Sequence, residues 1–268
     1  MKFSFMTFSC PELDLESILE LAQRYGYDGI EPRVNSRHQH GIETDATPEQ
    51  RREIVRKADA SGIQLSCIAT SCCFADPATA EKHAADARQC VELAADLGAP
   101  CIRVFGGKIG EGVSRDEAIQ NMAALLRPLA EHADKLNVSV CMETHDDWCN
   151  PADVAAVMRA VDHPGMAVNW DIMHPVRNKL ATIDQSFEQL QPWIRHVHLH
   201  DGVVNDGKVS LVPIGQGIVD HKRAVTLLHA AGYEGFASGE WIRWEDDYSV
   251  HLPREIATLK QYLKEAAG

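Results

Sequence analysis

The chain is poor in basic residues for its acid content: 26 Lys and Arg stand against 39 Asp and Glu, a formal net charge of −13. A nucleic-acid binder needs a cationic footprint, and no Lys/Arg block occurs along this sequence. No apolar run reaches membrane-span length. The opening MKFSFMTFSCPELD carries one Lys and meets Pro and acid before an apolar h-region forms. Neither a signal peptide nor a transmembrane segment is therefore expected, and the chain is read as cytoplasmic. No GxGxxG follows the first strand-like run, which counts against a dinucleotide-binding fold. There is no phosphate-cradling motif, no linker and no low-complexity segment. The eight cysteines include no CxxC pair, and Cys67, Cys101 and Cys141 lie inside apolar runs. Reduced thiols acting as small hydrophobes are expected, not a Cys-ligated zinc site.

What is present is a sustained alternation. The 268 residues are 45% hydrophobic, enough for a sizeable core. Strand-like runs cover 2–8, 27–31, 62–67, 100–105, 138–143, 166–171, 194–201 and 235–240. Between and after them, helical patterning covers 14–25, 48–61, 76–97, 114–136, 151–161, 182–190, 220–230 and 252–265. Thr47 with Pro48, and Ser114 with Glu117, mark helix starts. A glycine repeatedly closes a helix just before the next strand, as in RYGYDG, ASGIQ, DLGAPC and AAGYEG. Eight β-α units imply a parallel sheet closed into a (β/α)₈ TIM barrel, one domain over 1–268.

Four residues stand at strand ends: Glu143 in VSVCME, Asp171 in MAVNWD, His198 in IRHVHLHD and Glu240 in GFASGE. In a parallel barrel these ends open at one face. Alternation along each strand puts the four on the small or polar side, which should line the lumen. Glu31 and Arg103 come out on that side too, and an Arg103–Glu31 ion pair beneath the site is expected. Any one such carboxylate is more often a helix cap or a loop ion pair. Three carboxylates and an imidazole in register are harder to explain that way, and carboxylates so close together repel without a cation, so an O/N ligand set for a divalent ion is the better account.

The segments GYDGIE, METH, WDIMH, HVHLHDG, IGQGIVD and GYEGFASGEW, in that order, resemble the xylose isomerase-like barrel superfamily, in its sugar phosphate isomerase/epimerase group. That group includes ketose 3-epimerases, hydroxypyruvate isomerases and inosose dehydratases. The resemblance spans essentially the whole chain. It implies that Glu143, Asp171, His198 and Glu240 bind one divalent cation, Mn²⁺ in the first place, with Mg²⁺, Co²⁺ or Zn²⁺ as alternatives. It also implies that Glu143 and Glu240 exchange substrate protons on opposite faces of an enediolate, and that His174 contacts substrate. The assignment of His198 rests on HLHD, with His196 deeper and His200 nearer the mouth. Gln216 departs from the G-E-G-x-x-D pattern frequent in the group. The three-metal DNA-repair members need further ligands, and the ends SCIATSCCF and RVFGG and the segment Asp206-Gly207-Lys208 do not supply them.

Around the four, His145, Trp148, His200 and Arg243 are further candidates for substrate contact, Trp148 either stacking on a sugar face or covering its loop. His174 is expected on the loop after its strand. The expected partner is a small-molecule sugar or polyol, with no nucleic acid and no membrane; self-association into a homo-oligomer is left open. The expected reaction is metal-dependent isomerisation or epimerisation. A dehydratase acting on a keto-sugar or keto-inositol, or an endonuclease IV-like or non-catalytic barrel, are the alternatives.

Overall fold

The computed structural model describes residues 1–205 and 208–268. Its strands and helices alternate as β1 (Lys2–Met6), α1 (Leu15–Tyr25), β2 (Gly29–Glu31), α2 (Pro48–Ser61), β3 (Gln64–Leu65), β4 (Ile68–Cys73), α3 (Ala80–Leu97), β5 (Cys101–Phe105), α4 (Arg115–Lys135), β6 (Ser139–Glu143), α5 (Pro151–Val161) and β7 (Met166–Asp171). Then follow α6 (Met173–Arg177), α7 (Ile183–Leu190), β8 (Ile194–Leu199), β9 (Asp201–Asn205), β10 (Lys208–Val212), α8 (His221–Ala230), β11 (Phe236–Gly239) and α9 (Tyr248–Ala267). The caps are local chemistry. Thr47 and Ser114 each close a reciprocal box with the residue three on, Gln50 and Glu117. Gly26 ends α1 at φ 77°, a conformation that costs a side-chain-bearing residue and not glycine.

One parallel sheet runs in the order β3-β2-β1-β11-β8-β7-β6-β5-β4. Its two outer strands, β3 and β4, are consecutive pieces of the third barrel strand. The sequence pattern puts that strand at 62–67, whereas it continues through Cys73 after a break. The ring closes there, where Ala69 bridges Arg33 and Ala69 N donates to Pro32 O at 3.0 Å. The result is the expected eight-fold parallel barrel wrapped by helices.

Two further elements differ from expectation. The segment after β8 is not a plain loop: β9 and β10 pair antiparallel, with Lys208 opposite Asn205. Asp206 and Gly207 lie outside the described residues. The short helix α6 follows β7 directly, so His174 sits on a helical turn and not on a loop. Asp171 supports this turn, because its Oδ1 accepts from Met173 N at 2.9 Å and His174 N at 3.1 Å, two N–H groups left without partners at a helix start.

The apolar faces of strands and helices form one large buried cluster. A second, smaller cluster of Cys67, Cys101, Cys141 and Ala167 sits inside the barrel. Each of its members on β5, β6 and β7 lies two residues before a polar inward residue, so this patch floors the lumen under the site. The cysteines are free thiols, as small buried hydrophobes should be. Among the described residues no helix is long and apolar enough to cross a membrane.

Candidate metal centre

Two of the four residues end their strands, and a third comes directly after its strand. Glu143 ends β6 and Asp171 ends β7; Glu240 follows β11 directly. His198 lies one residue before the end of β8. Register sets them side by side: Asp171 is opposite His198, and Ser238, two before Glu240, is opposite His198 on the other flank. Exposure is 0% for Glu143, Asp171 and His198 and 5% for Glu240. Each offers a ligand atom, and these atoms all lie within 4.8 Å of one another. His198 Nδ1 stands 3.4 Å from Glu143 Oε1 and 3.4 Å from Glu240 Oε2.

A divalent cation fits this donor set. Glu143 Oε1 and Oε2, Asp171 Oδ2 and His198 Nδ1 are buried with no hydrogen-bond partner among the described residues. Buried acceptors facing one another without donors are costly, and a hard-to-borderline cation is what oxygen and imidazole ligands satisfy. Electrostatics keep Asp171 and Glu240 ionised. Burial pushes the Glu240 carboxyl up, but His198, His200 and Arg103 outweigh it and hold it down at about 2. Burial likewise opposes ionisation of Asp171, yet His174 and His200 pull it below the usual carboxylate range.

Below the four, the expected Arg103–Glu31 pair does not form. Arg103 Nε lies 3.2 Å from Glu143 Oε2, a charge contact off the hydrogen-bond line, and its guanidinium covers the Phe105 ring at 4.0 Å. Glu31 instead meets His196 Nε2 at 2.8 Å and His198 Nε2 at 3.0 Å. The reason is position: Arg103 is two residues short of Phe105, which pairs with Glu143, so the guanidinium reaches the nearer glutamate.

Above the four runs an arc of rings. Phe105 packs on His145 at 4.8 Å between centroids, His145 on His174 at 4.4 Å, and His174 on His200 at 5.6 Å. His200 Nε2 lies 2.7 Å from Asp171 Oδ2 but out of line for a hydrogen bond. His145 Nδ1 sits 3.0 Å from Asp146. Burial alone would favour the neutral ring, but Asp146 and Glu143 raise His145 to about 9. His145, His174 and His200 are thus gathered over the carboxylates. His174 is 6% and His200 7% exposed, and the His145 side chain is 31% exposed.

The other two candidates differ in burial. Trp148 is 0% exposed, held against Arg115 with its ring 5.3 Å from the guanidinium carbon. It also fills the space beside Gly106, where a Cβ would run into the indole. Of the two roles read for Trp148, covering the loop is the one its burial matches. Arg243 is exposed, with a left-handed φ of 52°. Trp241 is likewise buried, edge-on to His251 at 5.2 Å. The aromatic face the site does carry is Phe105, half-buried at the end of β5, where inward parity with Arg103 could have found it. Asn169 is a further residue that sequence reasoning does not single out; it is inward, fully buried, and has both amide atoms unpartnered among the described residues.

A family model described as xylose isomerase-like TIM barrel matches residues 19–265. The 3-dehydroshikimate dehydratase of Bacillus anthracis is 25% identical over 260 residues, covering 90% of this chain and 91% of that protein. An L-ribulose-5-phosphate 3-epimerase of Escherichia coli is 24% identical over 258 residues, covering 92% and 87%. Among solved structures, a xylose isomerase-like TIM barrel protein from Mycobacterium smegmatis in complex with magnesium superposes with a TM-score of 0.76 at 18% identity, covering 100% of this chain and 98% of that one. With the model spanning nearly its full length, and with curated enzymes for relatives, this chain belongs to the xylose isomerase-like TIM barrel family.

Proposed function

We propose that the protein is a divalent-metal-dependent isomerase or epimerase of an unphosphorylated sugar or polyol, working through an enediolate. The observation that supports it most is the placement of two buried glutamates, Glu143 and Glu240, at 3.4 Å on either flank of one imidazole nitrogen. The cation, Mn²⁺ in this reading and held by Glu143, Asp171, His198 and Glu240, would polarise a substrate carbonyl. Glu143 takes the proton from the carbon beside that carbonyl, and Glu240 returns one. Return to the other face epimerises, and return to the neighbouring carbon isomerises. His174 and His200 hydrogen-bond substrate hydroxyls from the arc above, while Phe105 covers an apolar face. The epimerase relative acts on a ketose phosphate, and a solved family member holds magnesium.

Incubation with a panel of ketoses and Mn²⁺ in deuterated water tests this reading. Solvent deuterium in the recovered ketose, with no elimination product, is the expected result. Absence of exchange with every ketose tried would overturn it. Mn²⁺ is also expected to stabilise the fold, by about 2.7 kcal/mol at a concentration one hundred times its Kd. A denaturant midpoint that ignores Mn²⁺ would count against the ligand set.

One observation favours a second reading, a dehydratase acting on a keto-substrate. His145, charged by its contact with Asp146, offers a proton beside Glu143 and His174, and a dehydratase is among the relatives. Appearance of an enone or aromatic absorbance, in place of deuterium exchange, distinguishes it.

His174→Ala should lower kcat/KM by about tenfold, the scale of one hydrogen bond to a substrate. Metal stoichiometry should not change in this reading, because the ion is held by Glu143, Asp171, His198 and Glu240, and His174 lies outside that group of four. Loss of one tightly bound equivalent in a metal titration would make His174 a ligand instead.

A further inference from the structure

We propose that Glu31 is the positioning residue of the metal centre, holding His198 by its far nitrogen so that Nδ1 is presented to the two glutamates. The inference rests on reading Glu143, Asp171, His198 and Glu240 as cation ligands, and it adds a residue that neither touches the ion nor neighbours the four in sequence.

Glu31 is the last residue of β2, and β1 and β11 stand between β2 and β8 in the sheet. Its carboxylate therefore reaches His198 across the lumen. It is 0% exposed. Oε2 lies 2.8 Å from His196 Nε2, and Oε1 and Oε2 lie 3.0 and 3.2 Å from His198 Nε2. These are N–H···O lengths. A carboxylate only accepts, so each facing Nε2 carries its proton. A neutral imidazole protonated at Nε2 has its lone pair on Nδ1. In His198 that Nδ1 is the atom at 3.4 Å from Glu143 and from Glu240, buried and otherwise unpartnered among the described residues. Glu31 thus selects the tautomer and locks the ring in the orientation that a ligand histidine needs. His196, two residues deeper on the same face, also meets Glu31 Oε2, but the Glu31–His198 contact does not depend on it, since Oε1 faces His198 as well.

The same three groups also have atoms within 4.8 Å of one another, which raises the idea of an ion among Glu31, His196 and His198. The distance of 2.8 Å speaks against it, since two ligands on one small divalent ion at about 2.0–2.1 Å stand further apart.

Glu31→Gln is the discriminating change. The amide has one acceptor oxygen and one NH₂, but it faces two N–H donors. One imidazole must move its proton to Nδ1, and in His198 that proton blocks coordination. Isothermal titration of the chelator-stripped full chain with Mn²⁺ should show Kd raised about 10–100-fold at an unchanged single equivalent. The visible spectrum of the Co²⁺ form should change alongside. His196→Asn keeps the Glu31–His198 contact and should bind like wild type. The double variant E31Q/H196N removes the donor clash, because the amide oxygen introduced at position 196 can accept from the NH₂ introduced at position 31. Its affinity should recover, and it serves as the test if E31Q alone fails to fold. An E31Q Kd within threefold of wild type would overturn the proposal. So would weakening in H196N as large as in E31Q, no recovery in the double variant, or loss of a second bound equivalent in E31Q. A wild-type protein that binds no divalent ion would overturn the metal reading itself, which keeps the two failures apart.

Discussion

Glu240→Gln is expected to lower kcat by about 10²–10⁴-fold, the range for removing a general acid or base, while the barrel stays folded. Gln keeps the volume and loses the charge, so a ligand and a proton carrier go together. Glu143→Gln should lose activity to the same degree, but the structure separates the two in stability. Glu143 is the carboxylate in contact with Arg103, which is 1% exposed. Neutralising it leaves a buried guanidinium without its nearest anion, a cost of about 1–3 kcal/mol. Glu240 touches no guanidinium: its contact is with the His198 imidazole at 3.4 Å, which also meets Glu31 and Glu143. Denaturant melts of the metal-free variants read the difference, and kinetics with saturating Mn²⁺ read the activity. Either variant turning over near the wild-type rate with metal bound would sink the two-glutamate mechanism.

Trp148→Ala is expected to cost about 3–5 kcal/mol of stability, the scale for truncating a buried aromatic. The indole is fully enclosed, Gly106 leaves it room, and Arg115 caps one side. The cavity would open in the loop between β6 and α5, behind His145 and not among the ligands. The variant should therefore show a lower denaturant midpoint at similar slope, with a KM close to wild type at temperatures where it remains folded. A loss below about 1 kcal/mol, paired with a large rise in KM, would place the indole on the substrate and reverse the assignment.

Much of this architecture is readable residue by residue. Thr47 and Ser114 start helices because their side chains accept from the N–H three residues on, a contact needing nothing beyond the segment. The 151–161 helix has both ends as read, opened by Asn150 before Pro151. The α9 helix starts four residues earlier than expected, at Tyr248, because Asp247 caps it; Pro253 makes the later start look natural. The β9–β10 hairpin does carry a local signal: Asp-Gly between VVN and KVSLV is a short-hairpin pattern.

The ligand quartet is legible for a different reason. Strand parity is a period of two, so a strand-end carboxylate preceded by a small or polar residue two positions earlier should face the lumen once the sheet closes. Cys141 before Glu143 and Asn169 before Asp171 follow that rule.

Composition, period and caps, which are local, determined by themselves that this chain makes eight β-α units and that four charged or imidazole side chains end on the inner face of their strands. Which inward groups touch which was decided by closure alone. Whether Arg103 meets Glu31 or Glu143, and whether Glu31 meets His196 and His198 across the lumen, depends on strand stagger and barrel diameter, quantities set by all eight strands together. The burial of Trp148 belongs to the same class, because it follows from space left by Gly106, which is distant in sequence. The helical turn under His174 does not: it follows from Asp171, two and three residues before the N–H groups it accepts from.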